Sequence, residues 1–251
     1  MNHMVRERMK HNKSLKKYKG FTLVELIVVL VILAILAAIL IPALLGYIDR
    51  AREKQDILDA RTLLTATQAE LTEYYAVNAD TLVEGKSIIP EASGEPEKKN
   101  GDVDATNTAF AKKVLATADR DNKDGKNNTE DDEPYLFMIA VGSNHKDNQD
   151  SVNGKTKGNN TTIHDKYTVY YALYMPSADS VPYYYYNGKW SKKNPRGEGG
   201  NKKELFNEHN YVLDGPQKDM RLQYYLISNK TGKTMGGLWD YIKKEIDKKW
   251  N

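Results

Sequence analysis

A long apolar segment near the amino-terminal end restricts how this chain can fold more than any other feature. Residues 21–41, FTLVELIVVLVILAILAAILI, contain nineteen apolar side chains, with Thr22 and Glu25 as the exceptions. A helix of this length spans about 31 Å at 1.5 Å per residue, enough to cross the hydrocarbon core of a bilayer. The mean hydropathy of the whole chain is nevertheless −0.68, so the remainder is strongly polar. The sequence therefore predicts one membrane-spanning helix that carries a water-facing domain of ordinary size.

Basic side chains are concentrated ahead of the apolar segment. Residues 1–20 contain seven Lys and Arg against one acidic residue, whereas the rest of the chain contains 30 basic and 33 acidic residues. Lys and Arg beside a membrane helix hold that side in the cytoplasm, so the polar domain is predicted to lie outside. Because the excess positive charge belongs to the amino-terminal end, direct binding of nucleic acid is not expected.

The chain contains no cysteine, and this excludes several classes of exported protein. A lipoprotein needs a Cys directly after its apolar segment, and a small secreted domain often relies on disulfides. Zinc sites built on thiolates are excluded as well. The core of the water-facing domain is therefore predicted to be held together by packing alone.

The residues around the start of the apolar segment do not fit an ordinary secretory signal. Such a signal has a shorter apolar region that is followed by a small-residue cleavage site, and residues 41–43 (IPA) match that site poorly. The distinctive sequence KGFTLVEL, residues 19–26, lies instead ahead of the apolar run. A basic leader that ends in Gly, followed by Phe-Thr-Leu-x-Glu and further apolar residues, resembles the type III signal of type IV prepilins and related pseudopilins.

The resemblance implies a processing step and a division of the chain. A membrane prepilin peptidase is expected to cleave between Gly20 and Phe21 and to N-methylate the new amino terminus at Phe21. Residues 1–20 are then a cleaved leader, and residues 21–46 form the membrane and filament-core half of a spine helix. Residues 47–251 form an extracellular head that includes the second half of that helix.

The resemblance also implies partners and a location. The expected partners are further copies of the chain in a helical filament, the prepilin peptidase, a pilus assembly platform protein with its ATPase, and the membrane. The precursor is expected to cross the cell membrane once and the mature subunit to reach the cell surface.

Glu25 is an unusual residue for a membrane segment, because a charged side chain there costs about 2.5–3.5 kcal/mol and such residues generally mark function. In the family's model this carboxylate meets the terminal amine of a neighbouring subunit, so the expected assembly residues are Phe21, Thr22, Glu25 and Pro42. The alternative for Glu25 is a side chain that snorkels to the cytoplasmic edge. Pro42 removes one helical hydrogen bond, so it either permits local unwinding in the filament or simply kinks the helix.

The helical pattern continues beyond the membrane segment and predicts one helix over residues 21–76. At helical spacing, one face of residues 47–76 is formed by Ile57, Ala60, Leu64, Thr67, Leu71, Tyr74 and Tyr75. Four charged side chains are predicted to lie off the centre of this face: Asp56, Asp59, Arg61 and Glu70.

The rest of the chain predicts an α+β head in which the spine helix packs on an antiparallel sheet with long loops. Residues 105–118 and 238–250 have helical patterns, the latter with Trp239, Ile242, Ile246 and Trp250 on one face. Residues rich in β-branched and aromatic side chains predict strands over 135–141, 167–175, 182–186 and 222–227. Loops are predicted over 77–104, 142–166 and 187–210.

An acidic stretch in the head is a candidate calcium loop. Residues 119–133, DRDNKDGKNNTEDDE, place oxygen ligands along a turn that contains Gly125. The candidate ligands are Asp119, Asp121, Asp124 and Asp131, with Asp132 as the alternative to the last. The spacing of these residues differs by one position from that of a standard calcium loop. The alternative is therefore a solvated acidic turn. No cofactor other than calcium is predicted.

The chain lacks the motifs of the common enzyme classes. It has no Gly-x-Ser-x-Gly, no phosphate-binding glycine loop, no Cys nucleophile and no pair of histidines at metal-binding spacing. We therefore interpret the chain as a structural pilus subunit for adhesion, aggregation or twitching motility, and not as an enzyme. The alternatives are a pseudopilin of a type II secretion or DNA-uptake system and a membrane-anchored surface enzyme.

Overall fold

The structure is a computed structural model of the chain. The chain divides into two compact units, Met1–Arg52 and Glu53–Asn251. The structure describes residues 20–78, 80, 82, 86–89, 91–92, 102–106, 108–120, 133–144, 164–195 and 220–242. Its elements combine one long helix with a sheet, so the predicted α+β class is confirmed.

The long helix α1 (Leu23–Asn78) has 56 residues and contains Pro42 in its interior. It begins and ends two residues later than the predicted helix. At the end of the helix, the side-chain amide of Asn78 donates to the carbonyl oxygen of Tyr74 at 3.0 Å. The prediction of one continuous helix through Pro42 is confirmed.

The part of α1 in the first unit is apolar on every side. Each large apolar side chain from Leu23 to Leu45 is about half exposed or more, with 49% for Ile27 as the lowest value. Among the described residues, α1 is the one helix that is long and apolar enough to cross a membrane. A helix that is apolar all round needs lipid or protein on all its faces.

Six strands form one sheet in the second unit, in the spatial order β1-β6-β2-β3-β4-β5. Strands β2 to β6 pair with their neighbours in antiparallel fashion, whereas β1 pairs with β6 in parallel. The strands are β1 (Asp102–Asp104), β2 (Leu136–Gly142), β3 (Val169–Met175), β4 (Tyr183–Tyr186), β5 (Lys189–Ser191) and β6 (Leu222–Asn229).

The four predicted strands are present, and two short ones lie within predicted loops. Strand β1 falls in the predicted loop 77–104, and β5 falls in the predicted loop 187–210. Each has three residues and lies at an edge of the sheet, so neither is long enough to show an alternating pattern. Because β1 is parallel to β6, the sheet is antiparallel in five strands and not throughout.

Helices cover both faces of the sheet, so the second unit has three layers. One core contains the second half of α1, helix α2 (Ala109–Thr117) and one face of the sheet. The other core joins the opposite face to helix α3 (Met235–Tyr241) through the buried side chain of Leu238 and that of Ile242, the residue that follows the helix. Burial on both faces explains why β2 and β6 are nearly continuous runs of buried residues.

Helix α3 agrees in part with the closing helix predicted over 238–250. It begins three residues earlier, and the next residue after it, Ile242, is buried. Trp239 packs against the same core, as predicted. Ile246 and Trp250 lie outside the described residues.

The part of α1 that belongs to the second unit begins at Glu53, and three carboxylates near this point bond to residues of the head. Glu53 pairs with Lys192 at 2.7 Å, Asp56 accepts a hydrogen bond from the Tyr183 hydroxyl at 3.0 Å, and Asp59 pairs with Arg120. Partial burial raises the pKa of the Asp56 carboxyl above its usual range, although the Tyr183 hydroxyl opposes this shift.

These contacts correct part of the predicted helix face. The seven predicted apolar positions are buried or partly buried, as expected. Asp56 and Asp59, however, point toward the head, and Glu70 is buried with one carboxylate oxygen bonded to Thr117 at 2.6 Å. Of the four charged residues placed off the face, Arg61 is the one that is exposed.

Candidate functional site

The first turn of α1 is closed by reciprocal hydrogen bonds between Thr22 and Glu25. The backbone N–H and the hydroxyl of Thr22 donate to Oε2 of Glu25 at 2.8 and 2.7 Å. The backbone N–H of Glu25 donates to Oγ1 of Thr22 at 3.3 Å. Thr22 is therefore the N-cap of the helix, Glu25 is its third residue, and the pair forms a capping box.

The capping box gives Glu25 a structural role within a single chain. It satisfies two of the backbone N–H groups that a helix leaves unpaired at its start, and the carboxylate lies at the positive end of the helix dipole. No other part of the described chain covers Thr22 or Glu25, and both are exposed. The bonds to Thr22 use Oε2 alone, and Oε1 makes no hydrogen bond to the described part of the chain.

Sequence reasoning identified both residues but did not connect them. The signal was readable, because Thr-x-x-Glu directly before an apolar run is the pattern of a capping box. The structure thus brings together two predicted assembly residues and adds an interaction that had not been predicted.

The Gly20–Phe21 junction precedes the helix and is open. Neither residue belongs to a helix or strand, and the Phe21 side chain is 88% exposed. A Cβ at Gly20 would meet no atom within 4 Å, and its φ lies outside the left-handed region. Nothing in the described part of the chain requires glycine at that position. The role of Gly20 in cleavage stays a prediction.

Pro42 lies inside α1, where it supplies no N–H to the carbonyl oxygen of Ala38. Gly46 follows one turn later, and its carbonyl oxygen accepts a hydrogen bond from Nε of Arg50 at 3.0 Å. Proline and glycine both lower helix stability, so residues 42–46 are the weakest stretch of the first unit's helix by sequence. The role of Pro42 in assembly stays a prediction.

Asp119 has a structural role that does not depend on calcium. Its backbone is left-handed with φ 56°, and its N–H donates to the carbonyl oxygen of Ala116 at 3.0 Å. The N–H of Arg120 donates to the carbonyl oxygen of Leu115 at 2.7 Å. These two bonds form a Schellman motif that ends α2, with Asp119 at the position that usually holds glycine.

The other proposed calcium ligands are not part of the described chain. Asp121, Asp124, Asp131 and Asp132 lie outside the described residues. Within the ranges that the structure describes, no group of three or more His, Asp or Glu side chains is placed to hold a metal ion. Calcium binding by residues 119–132 therefore stays a prediction.

We expect millimolar calcium to raise the melting temperature of the detergent-solubilised full chain, because a ligand that binds the folded state stabilises it. The combined change Asp121→Ala and Asp124→Ala should abolish this rise. Asp119→Gly should instead stabilise the calcium-free protein by up to about 1 kcal/mol, or about 2–4 °C, because glycine adopts a left-handed backbone freely. Differential scanning calorimetry with calcium or with chelator measures both effects. An unchanged melting temperature of the wild-type chain in calcium would contradict the metal site.

Residues 15–41 match a family model described as the prokaryotic N-terminal methylation motif. The matched region contains the Gly20–Phe21 junction, the capped turn and the whole apolar segment, residues 21–41. The comparisons with curated proteins and with solved structures gave no match. The motif and the long apolar helix are consistent with a type IV pilin-like prepilin, which confirms the family resemblance.

The motif indicates a type IV pilin-like or pseudopilin-like precursor and favours a structural protein over an enzyme. The apolar helix is consistent with anchoring of this precursor in a membrane.

Proposed function

We propose that this prepilin-like chain is the structural subunit of a type IV pilus, cleaved after Gly20, methylated at Phe21 and assembled through α1 into a surface filament. The observation that carries the proposal is the arrangement of Glu25. Its carboxylate is held by Thr22 through Oε2, while Oε1 is left open to a partner outside the described chain. The partner with the right charge is the amine that cleavage creates at Phe21 of a neighbouring copy.

The apolar surface of α1 supports assembly but does not by itself select a register. Lipid tails are as apolar as the side chains of residues 23–45, so moving this helix from lipid to a bundle of helices gains little hydrophobic free energy. An unpaired charge in the same bundle is costly, whereas an ion pair there is strongly attractive. Pairing of Glu25 with the neighbouring amine therefore favours one register over others.

The capping box prepares Glu25 for this role. Two hydrogen bonds from Thr22 restrict the rotamers of the carboxylate before any partner arrives. Less side-chain entropy is then lost on docking, and preorganisation of this kind strengthens binding. The same two residues start the helix and present the docking group.

Mass spectrometry of sheared surface material tests the proposed function. We expect a major species that lacks residues 1–20 and begins with N-methyl-Phe21. Membranes from the same cells should contain both the precursor and the cleaved form. An intact leader on the surface protein would contradict the proposal and would favour a membrane-anchored surface enzyme.

A pseudopilin is the second candidate, because the matched motif is common to pilin-like and pseudopilin-like precursors. The same experiment separates the two functions. A pilus subunit is expected to be abundant in the sheared fraction, whereas a pseudopilin of a secretion or DNA-uptake system should stay in the cell envelope after cleavage.

A further inference from the structure

Two large apolar side chains remain strongly exposed in the described part of the second unit. They are Leu58, which is 54% exposed, and Val77, which is 73% exposed. A single exposed apolar residue needs no explanation. These two, however, lie on the same helix, nineteen positions apart, which corresponds to about 28 Å along its axis.

Leu58 borders an open cleft of about 360 Å³ on the surface of α1. The Leu58 cleft is lined by Thr117 of α2 and by six residues of α1: Leu58, Arg61, Thr62, Thr65, Ala66 and Ala69. Thr65 and Ala69 are small and exposed, and the volume of the cleft is large enough for a branched apolar side chain.

The Leu58 cleft is positively charged. Arg61 lines it, and Lys54 lies one helical turn before Leu58. Both cations are exposed, and neither forms an ion pair within the part of the chain that the structure describes. The carboxylates of this stretch of α1, those of Glu53, Asp56 and Asp59, bond to the head instead.

The surroundings of Val77 carry the opposite charge. Glu73 and Asp80 are exposed and lie four positions before it and three positions after it along the chain, and Glu91 accepts a hydrogen bond from the Tyr74 hydroxyl at 3.0 Å. Burial, this hydrogen bond and the charges of neighbouring carboxylates together raise the pKa of Tyr74 to about 12. The exposed residues Val77, Glu73, Asp80 and Glu91 form the Val77 patch, in which Lys113 offsets part of the charge of Glu73.

We propose that the Val77 patch of one copy docks on the Leu58 cleft of a second copy, displaced by about 28 Å along the spine helix. The apolar side chain enters the cleft, and the acidic residues face Arg61 and Lys54. The contact joins two different surfaces, so it repeats from copy to copy and generates an open filament in place of a closed dimer.

This contact rests on the proposed function and refines it. Two apolar side chains and a few charges bury far less area than a stable interface needs. The contact is therefore effective between copies that their apolar segments have already brought together, where the local concentration is high. Its role is to fix the axial offset of neighbouring heads.

Cysteine cross-linking tests the contact directly, because the chain contains no cysteine of its own. Cells that express the Leu58→Cys, Val77→Cys double variant are mildly oxidised, and the sheared fraction is separated on a non-reducing gel. We expect a ladder of dimers, trimers and larger species that collapses on reduction. Each single variant should give no ladder. The matched control, Leu58→Cys with Thr72→Cys, carries its second thiol at another exposed position of α1 and should stay monomeric.

The outcomes separate this inference from the proposed function. Filaments of the double variant without a ladder would overturn the contact and leave the pilus assignment intact, whereas absence of filaments from the wild type would overturn the assignment itself. If the double variant makes no filaments, exchanging the charges of Arg61 and Asp80 tests the contact instead. Arg61→Glu should lower filament yield at least threefold, and added Asp80→Lys should restore it. Failure of that rescue would overturn the contact.

Discussion

Replacement of Glu25 by Ala is expected to leave cleavage intact and to abolish filaments. Removal of a charge from a membrane helix does not hinder insertion. The resemblance to prepilins implies that the peptidase recognises mainly Gly20, so we expect cleavage to survive. In the bundle, however, the amine of a neighbouring Phe21 loses its partner. Breaking a buried ion pair costs about 3–5 kcal/mol, which corresponds to a more than hundredfold loss of docking affinity. The measurement is the ratio of cleaved subunit in the sheared fraction to cleaved subunit in the membrane.

Two further variants separate the charge of Glu25 from its part in the capping box. Glu25→Gln keeps a side chain that can accept the bond from the N-cap N–H but removes the charge. Thr22→Val removes the hydroxyl and leaves the charge, at a cost of about 1 kcal/mol in helix stability. We expect the Gln variant to assemble poorly, the Val variant to assemble at a reduced level, and Glu25→Asp to assemble in part. Wild-type filament yield from Glu25→Gln would show that the carboxylate is not the docking group.

Replacement of Gly20 by Asp or by a bulky residue is expected to block processing almost completely. The position has open space around it, so the new side chain should not disturb the fold of the chain. We would then attribute the effect to the proposed peptidase, which is expected to recognise this junction. We expect the precursor to accumulate in the membrane and the species that begins at Phe21 to disappear from an intact-mass spectrum.

Gly46→Ala is the matched control for this experiment. Gly46 also has no atom within 4 Å of a Cβ, but it lies in α1 beyond the matched motif. This variant should be processed like the wild-type chain. Recovery of correctly trimmed protein from Gly20→Asp would contradict the assigned cleavage site.

The sequence predicted those helices and strands whose characteristic residue pattern lies within one continuous stretch of the chain. Helix α1 follows from an apolar run that continues into an amphipathic pattern, and its start moved by two residues because Thr22 caps it from outside. Strands β2, β3, β4 and β6 are rich in β-branched and aromatic side chains, which favour strands wherever they occur. Strands β1 and β5 were missed, because three residues acquire a strand conformation only through the partner that they meet.

Contacts between distant parts of the chain were beyond sequence reasoning. Asp56 and Glu70 look like solvent-facing residues of an amphipathic helix, yet their partners, Tyr183 and Thr117, come from later elements. Ile88 and Ile89 are likewise fully buried within a stretch that was predicted to be a loop. In each case the polar composition of the neighbouring residues concealed the packing.

In the candidate site, too, the residues were predicted from local sequence, whereas their contacts were not. Gly20, Phe21 and Glu25 were identified from the motif, because their order along the chain carries the information. The pairing of Thr22 with Glu25 was readable but requires knowledge of where the helix begins. The sequence does not show that Oε1 of Glu25 makes no bond to the described chain, because this depends on the three-dimensional positions of the atoms.

The position of β6 in the sheet determines when the head can fold during synthesis. This strand is the last of the six along the chain, yet it lies between β1 and β2 and pairs with both. Until residues 222–229 have been translated, β2 has an open edge and β1 lacks its one partner among the described strands, so the sheet cannot be completed. Such a high contact order slows folding and exposes strand edges that other chains can capture. From the synthesis of β2 until that of β6, a nascent chain therefore exposes a strand edge that other chains can capture, and this edge becomes protected in one late step.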